Sequence, residues 1–252
     1  WQQAYQHLRS AVDLGRDPDG SAILPAELRM EVDRLRREHA EAREQSLRDS
    51  LTASYNRRYL DQRLEDLLVS MPTGTGLAVA LVDLDFFKQV NDNHGHLLGD
   101  RVLQRVVEVL QDGLPDGAFC ARYGGEEFVL VLPDIAGTSA VVVCEAARAR
   151  IERHPWSQLV AGLRVTVSIG VAHRDGRDPQ APISGVPDML LSADQLLYQA
   201  KQSGRNAVAF HSSTGPALAG MAAHRRGVQT GTASPPAESP AELPAEVPAA
   251  SI

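Results

Sequence analysis

Asp83, Asp85 and Lys88 fall within one six-residue run, Asp83-Leu84-Asp85-Phe86-Phe87-Lys88, at the end of the apolar stretch Leu77 to Leu84. Such a stretch reads as a buried strand. A strand that ends in a carboxylate and turns at once into a helix sets an oxygen ligand beside free backbone N–H groups. Asp83 can hold a hard cation there, while the amides near Phe86 and Phe87 and the ammonium of Lys88 can neutralise a polyphosphate. The plainer reading makes Asp85 a helix N-cap and Lys88 a surface charge. A second cluster is Arg122-Tyr123-Gly124-Gly125-Glu126-Glu127-Phe128. Glycines at a hairpin permit positive φ and leave the turn bare, so that a large ligand can approach the backbone. Glu126 and Glu127 then lead into the apolar run Phe128 to Leu132. Strand neighbours point to opposite faces, so at most one of the pair is expected on the face of Asp83.

The pattern between about residues 50 and 211 supplies elements to position these groups. Strands are expected at Leu77 to Leu84, Phe119 to Arg122, Phe128 to Leu132, Val165 to Ala172 and Ala207 to Phe210. Helices are expected to open at Asp85, and to run from Asp100 to Leu110, Thr138 to Arg153 and Pro187 to Gln202. The order β-α-α-β-β-α-β-α-β predicts an α+β fold, with a mixed central sheet and helices packed against it. Arg148, Arg150 and Arg153 with His154 read as a solvated helix face, and Trp156 as a packing residue. His94 and His96 flank Gly95 without cysteine partners, which gives little support to a structural zinc site.

The flanks differ in character. Residues 26 to 51 are rich in Glu, Arg and Ala with no internal Gly or Pro and predict one long helix. Leu28, Val32, Leu35, His39 and Ala42 recur at steps of four and three, the spacing of a coiled-coil seam. Such a helix could pack on its own domain or form a dimer stalk. Trp1 to Leu14 reads as a short amphipathic helix ended by the turn residues Gly15 to Gly20. From Ser212 to Ile252 no aromatic residue occurs, and prolines recur every fourth residue at 236, 240 and 244, the composition of a disordered tail. The domain reading is therefore a helical segment over 1–48, a compact mixed domain over 49–211 and a tail over 212–252.

The 252 residues are 43% apolar and 23% charged, which excludes a fibrous or wholly disordered protein. A net charge of −7 argues against a general polyanion-coating protein, so no nucleic-acid partner is expected. Two cysteines, Cys120 and Cys144, sit in apolar runs and read as buried thiols of a reducing compartment, the cytoplasm. No apolar run approaches the roughly 20 residues of a membrane span, and nothing near residue 1 resembles a signal peptide. A first residue of Trp rather than Met leaves room for an upstream sensory region.

Gly-Gly-Glu-Glu-Phe at 124–128, Asp-Leu-Asp-Phe-Phe-Lys at 83–88 and Asn-Asp-Asn-His-Gly-His-Leu-Leu-Gly-Asp at 91–100 together resemble the GGDEF diguanylate cyclases of bacteria. The resemblance covers about 160 residues. It extends to Asp49-Ser50-Leu51-Thr52 with Tyr55-Asn56-Arg57-Arg58, and to Tyr198-Gln199-Ala200-Lys201 with Gly204-Arg205-Asn206. It implies a nucleotidyl-cyclase-like fold with a ferredoxin-like core, and the condensation of two GTP molecules into cyclic di-GMP with release of pyrophosphate. By the same resemblance, Asp83, the carbonyl of Leu84 and Glu126 match ligands of Mg²⁺ or Mn²⁺, with Glu127 a neighbour. Lys88 matches a phosphate-stabilising lysine, Asn91 and Asp100 the groups that read guanine, His96 a further substrate contact, and Lys201 and Arg205 triphosphate contacts. Glu126 is the candidate to assist deprotonation of the attacking hydroxyl. An Asp that accepts from guanine N1–H and its exocyclic amine rejects adenine, which agrees with that assignment. One nucleotide site per domain implies a homodimer with facing half-sites.

Two departures stand out. The family's Arg-x-x-Asp product-inhibition motif would fall at 115 and 118, where the chain has Pro115 and Ala118. Feedback through that site is not expected, unless another surface, such as one using Arg105 or Arg148, replaces it. Thr52-Ala53-Ser54 stands where the family usually has Thr-Gly-Leu. The rival function is a catalytically silent GGDEF-like module that signals by binding GTP or a partner. The intact Asp83, Lys88, Asp100 and Glu126 favour the enzyme.

Overall fold

The run from residue 76 to 84 becomes the middle strand of a seven-stranded sheet in the computed structural model, which describes residues 26–72, 74–176 and 185–224. In chain order the elements are α1 (Ala26–Gln45), β1 (Tyr55–Asn56), α2 (Arg57–Ser70), β2 (Gly76–Leu84), α3 (Phe87–His94), α4 (His96–Gln111), β3 (Phe119–Arg122), β4 (Glu127–Pro133), α5 (Gly137–Arg153), β5 (Val167–Asp175), α6 (Val186–Gln202), β6 (Val208–Ser212) and β7 (Gly215–Leu218). The strand order is β1-β3-β4-β2-β5-β6-β7. β1 with β3 and β5 with β6 run parallel, and the other neighbours are antiparallel. The sheet is therefore mixed, as the element order predicts, and the fold is α+β.

Helices cover both faces of β2, which explains why its sequence is continuously apolar instead of alternating. Alternation survives in the choice of core. Ala78, Ala80, Val82 and Leu84 join one cluster with Val102, Val106 and Leu110 of α4 and Cys144, Ala147 and Ile151 of α5. Leu77, Val79 and Leu81 join the opposite cluster with Leu60 and Leu64 of α2 and Met189, Ala193 and Leu197 of α6. Asp83 continues the second set, so the period of two aims its carboxylate at the α6 side of the sheet. Trp156 is a packing residue, buried with its Nε1–H donating to the Ile151 carbonyl at 2.7 Å. Cys120 and Cys144 are buried free thiols, and burial pushes both up to about 12, which leaves them inert.

Several local features differ from the sequence reading. Residues 57–70, to which the sequence reading assigns no element, form α2. Its signals are an N-cap, the Asn56 side chain accepting from the Tyr59 amide at 3.1 Å, and buried Leu60 and Leu64 one turn apart. Asp85 caps no helix: α3 starts after Phe86, which has φ +58 and gives no side-chain cap. The helix expected from Asp100 begins at His96, separated from α3 by Gly95 at φ +82. The folded chain also continues past residue 211. Ser212 pairs with Gly215 to start β7, and Ala219 and Ala222 are buried, so the tail expected from 212 is ordered as far as His224. The expected helix at Trp1 to Leu14, its turn and the proline repeat lie outside the described residues.

The long N-terminal helix is present as α1, and none of its described side chains enters a core cluster. Met30 is 65% and Leu35 50% exposed, so the helix does not pack on its own domain through these positions. Among the described residues no helix is long and apolar enough to cross a membrane.

Two backbone positions generate opposite predictions. A Cβ on Gly170 of β5 would collide with the Ala193 carbonyl oxygen and the Leu197 nitrogen of α6, both backbone and unable to yield. Gly170→Ala should destabilise the fold by about 2–3 kcal/mol in urea unfolding. Ala53 holds φ +57, a conformation that costs a side-chain-bearing residue about 1 kcal/mol. Ala53→Gly should therefore stabilise by about 0.5–1 kcal/mol in the same assay, whereas a loss would show that the turn is not strained.

Candidate active site

Asp83 is buried near the end of β2, and its Oδ2 lies 2.9 Å from Lys201 Nζ in the last turn of α6. Burial raises its pKa above the ordinary 3.8, and the negative charge of Asp85 adds to the effect. The ion pair with Lys201 and the charge of Arg205 act the other way without cancelling it. Glu126, in the turn before β4, is raised in the same direction by burial, by Asp83 and by Glu127, against the attraction of Lys201. Two carboxylates that repel each other beside two cations form the electrostatic centre of the site.

The expectation that only one of the two glutamates shares a face with Asp83 holds for a regular strand, but β4 begins at Glu127. Glu127 is the cross-strand partner of Asp83 and so stands on its face, while Glu126 belongs to the turn and is free of the alternation. Both acids therefore approach Asp83. Gly124 permits this, because a Cβ there would sit 2.9 Å from Glu127 Oε2. The turn is fastened by Arg122, whose Nη2 donates to the Gly125 carbonyl at 2.8 Å and whose Nη1 donates to Asp49 Oδ1 at 3.0 Å. Burial works against the Asp49 carboxylate, but the Thr52 amide and hydroxyl together with Arg122 hold its pKa below the usual range. Asp49 lies four residues beyond α1, so the helical segment ends on the contact that fixes the acidic turn.

The helical residues form a second part of the site. Phe87 is a core residue, whereas Phe86 is 53% exposed with the Arg205 guanidinium 4.5 Å above its ring. Only the backbone of Phe87 is thus available to a ligand. Lys88 is exposed in the first turn of α3 and makes no ion pair among the described residues. Asn91 lies against α4, its Oδ1 where a Cβ of Gly99 would be, and half-buried Asp100 follows Gly99 on that helix. His96 is exposed at the start of α4. The structure thus brings Asp83, Glu126, Lys201 and Arg205 within electrostatic reach of one another, with Glu127 opposite Asp83 on the neighbouring strand, and sets Asn91 of α3 against α4 at Gly99, the residue before Asp100. Leu84 joins the first group through its backbone, its N–H donating to the Glu126 carbonyl at 3.4 Å.

Two solvent-open grooves of about 420 and 440 Å³ flank the acidic turn and share Glu127 and Asp194. They run along α6, past Tyr198 and Lys201 on one side and Arg57 and Tyr123 on the other, and neither is lined by Asn91 or Asp100. The electrostatics and backbone register mark the chemical centre better than these concavities do.

Asp85, Arg122 and Arg148 have roles that the sequence reading does not assign. Asp85 accepts from Ser168 Oγ and Thr166 Oγ1, each at 2.7 Å, and from the Asn206 amide at 3.0 Å. Its available sequence signal is the pair of hydroxyl residues Thr166 and Ser168, two apart at the start of β5. Arg148 does not lie on a solvated helix face: it is buried, bonded to Glu145, Glu152 and Asn206, and not open to a product molecule. Arg105 pairs with Glu108 at 2.6 Å. Where the family's inhibitory motif would lie, the Pro115 carbonyl accepts the Ala118 amide and closes a turn.

Residues 46–207 match the family described as Diguanylate cyclase, GGDEF domain. The response regulator PleD of Caulobacter vibrioides is 39% identical over 182 residues, 70% of this chain and 38% of PleD, so the chain spans well under half of that curated relative. The crystal structure of the coiled coil and GGDEF domain of DgcB from Caulobacter crescentus in complex with c-di-GMP superposes with a TM-score of 0.64 at 31% identity, covering 73% of this chain and 96% of DgcB's. The active GGEEF domain of a diguanylate cyclase from Vibrio cholerae gives 0.54 at 30% identity, over 63% of this chain and 97% of that one.

The electrostatics of the site predict how Glu126→Gln behaves as a folded protein. Its folded-state pKa lies above the usual 4.5, so the ionised form is disfavoured in the fold at neutral pH and that penalty fades as pH falls through the folded value. Glu126→Gln should raise the thermal midpoint at pH 7, and the gain should shrink at about pH 4.5. A midpoint below the parent's at pH 7 would show that Glu126 is a net stabilising charge.

Proposed function

The chain belongs to the GGDEF family of diguanylate cyclases, and we propose that it condenses two GTP molecules into cyclic di-GMP and releases pyrophosphate. The observation that carries this reading is the convergence of Asp83, Glu126 and Lys201 at the edge of the glycine turn. It joins mutually repelling carboxylates to a cation held in contact with one of them. Asn91 and Asp100 supply the second requirement, a polar pair on adjoining helices with donor and acceptor groups for a guanine edge.

The donor set suits Mg²⁺ or Mn²⁺. Its groups are hard oxygens, and among the described residues no three His, Cys, Asp or Glu side chains converge on one point. The protein thus offers Asp83, Glu126 and the Leu84 carbonyl, with Glu127 near, and leaves positions for phosphate and water. Such an ion, when bound, lowers the pKa of the attacking 3′-hydroxyl and offsets charge on the leaving oxygens. Glu126, in the turn before β4 and within electrostatic reach of Asp83, is the carboxylate assigned to assist deprotonation of that hydroxyl. Lys88 stands at the amino end of α3, Lys201 pairs with Asp83 and Arg205 rests over Phe86, and in this reading the three cations hold the triphosphate. His96, exposed at the start of α4, is in this reading a further substrate contact.

The reaction joins two nucleotides, and each chain carries one such site. Two copies must face each other, and the positions Leu28, Val32, Leu35, His39 and Ala42 of α1, of which Leu35 is exposed, offer the seam for pairing. In this reading residues 1–48 form the helical segment and 49–211 the catalytic domain, with the ordered β7 as its edge. The midplane of the reaction then lies between subunits, in the compartment that holds GTP, the cytoplasm.

Incubating the purified chain with GTP and Mg²⁺ should yield cyclic di-GMP by chromatography, and its absence under these conditions would overturn the reading. Asp100→Ser should keep the fold and lose roughly 10- to 100-fold of the preference for GTP over ATP, because a paired acceptor for the guanine N–H groups is gone. Unaltered base preference would remove Asp100 from the guanine contact.

A further inference from the structure

Gly204, Arg205 and Asn206 follow α6 with φ of +107, +62 and +47. Two successive non-glycine residues hold a left-handed backbone only where the surroundings fix them. Here the Asn206 amide donates to Asp85 Oδ2 at 3.0 Å, Asn206 Oδ1 accepts from Arg148 Nη1 at 2.6 Å, and Asn206 Nδ2 donates to Glu152 Oε1 at 2.7 Å. Arg148 and Glu152 are themselves paired at 2.8 Å. The carboxamide is read at both ends, by a cation at its oxygen and an anion at its nitrogen, so neither Asp nor a flipped Asn fits. Directly before it, Arg205 rests its guanidinium 4.5 Å from the Phe86 ring, and Phe86 is also left-handed at φ +58.

We propose that Arg148, Glu152 and Asn206, tied to Asp85, act as a latch that positions Arg205 for the nucleotide triphosphate, with the Phe86 ring as its rest. This rests on the reading of Arg205 as a triphosphate contact. The latch residues touch no substrate: Arg148 and Glu152 stand on α5, behind the loop, and act only through the backbone they hold. Strain at 205 and 206 is what makes the latch necessary. Without it, the loop relaxes toward ordinary backbone angles and Arg205 leaves the side of the site that faces Asp83, where its charge is felt.

A double-mutant cycle on the full chain, with GTP and Mg²⁺, separates positioning from mere stability. Asn206→Asp sets a third carboxylate beside Glu152 and should raise KM for GTP about tenfold, with kcat changed about twofold at most. In the Arg205→Ala background the same substitution should change KM no further, since its route to the substrate has been removed. Phe86→Leu, at an exposed position outside the latch, should raise KM about threefold, again only when Arg205 is present. Should Asn206→Asp fail to fold, Glu152→Gln at its half-exposed position runs the same cycle with a smaller effect. Additive changes in KM would overturn the latch. A parent-like KM for Arg205→Ala alone would instead overturn the triphosphate role on which the latch depends.

Discussion

Two buried carboxylates at the end of an otherwise apolar strand set the terms for the rest of this structure. Asp83 is the next-to-last residue of β2 and Asp85 follows the strand's end, and a carboxylate taken out of water must find donors or cations or else become neutral. The two meet this demand differently. Asp85 receives three neutral donors, from Thr166, Ser168 and the Asn206 amide, and becomes a node that joins β2, β5 and the loop after α6. Asp83 has Lys201 on one oxygen, and its charge is opposed by Asp85 and shared with Glu126. A carboxylate satisfied by fixed neutral donors suits architecture. One left partly compensated, next to another anion, suits exchange of its cation for a ligand-bound one. The same run of six residues thus contains one acid fixed by neutral donors and one held by a cation, two residues apart.

The legible parts of the fold were those where periodicity and burial agree. The continuous apolar run of β2, the glycine turn between β3 and β4, and the seams of α4, α5 and α6 all state their partners in sequence, because each packs a whole face or tolerates no side chain. α2 was harder to read, since its four apolar leucines are spread among charged residues and its cap, Asn56, doubles as the end of a two-residue strand. β7 sits on the sheet edge within the stretch whose composition reads as a disordered tail, yet Pro216 there leaves no ladder donor unmet and so does no harm.

In the site, acids and lysines declared themselves by type, but their roles did not. Asp85 looks like a helix cap from its place before Phe86, and only the left-handed Phe86, which delays the helix, turns that carboxylate inward. Arg148 looks like one of several surface arginines of α5, because its acceptors lie three and four residues away on the same helix and on a loop 58 residues later. Side-chain networks that close across distant segments leave no local pattern. Ala53 is a milder case: a change that touches no nucleotide contact still carries a backbone cost, since the turn it occupies keeps the conformation that glycine adopts freely.

The Arg122 guanidinium shows why that turn matters to the acids beyond it. Its donors reach the Gly124 and Gly125 carbonyls on one side and both oxygens of Asp49 on the other. A planar fork with fixed donor directions transmits position in a way that a lysine ammonium does not, because rotating one end moves the other. Asp49 is in turn held by Thr52, in the turn strained at Ala53 and closed by the Ala53 amide on the Asp49 carbonyl at 2.9 Å. The segment that follows α1 and the turn that carries Glu126 are consequently two ends of one rigid contact. The position of the acids is thereby referred to the N-terminal helix as well as to the sheet.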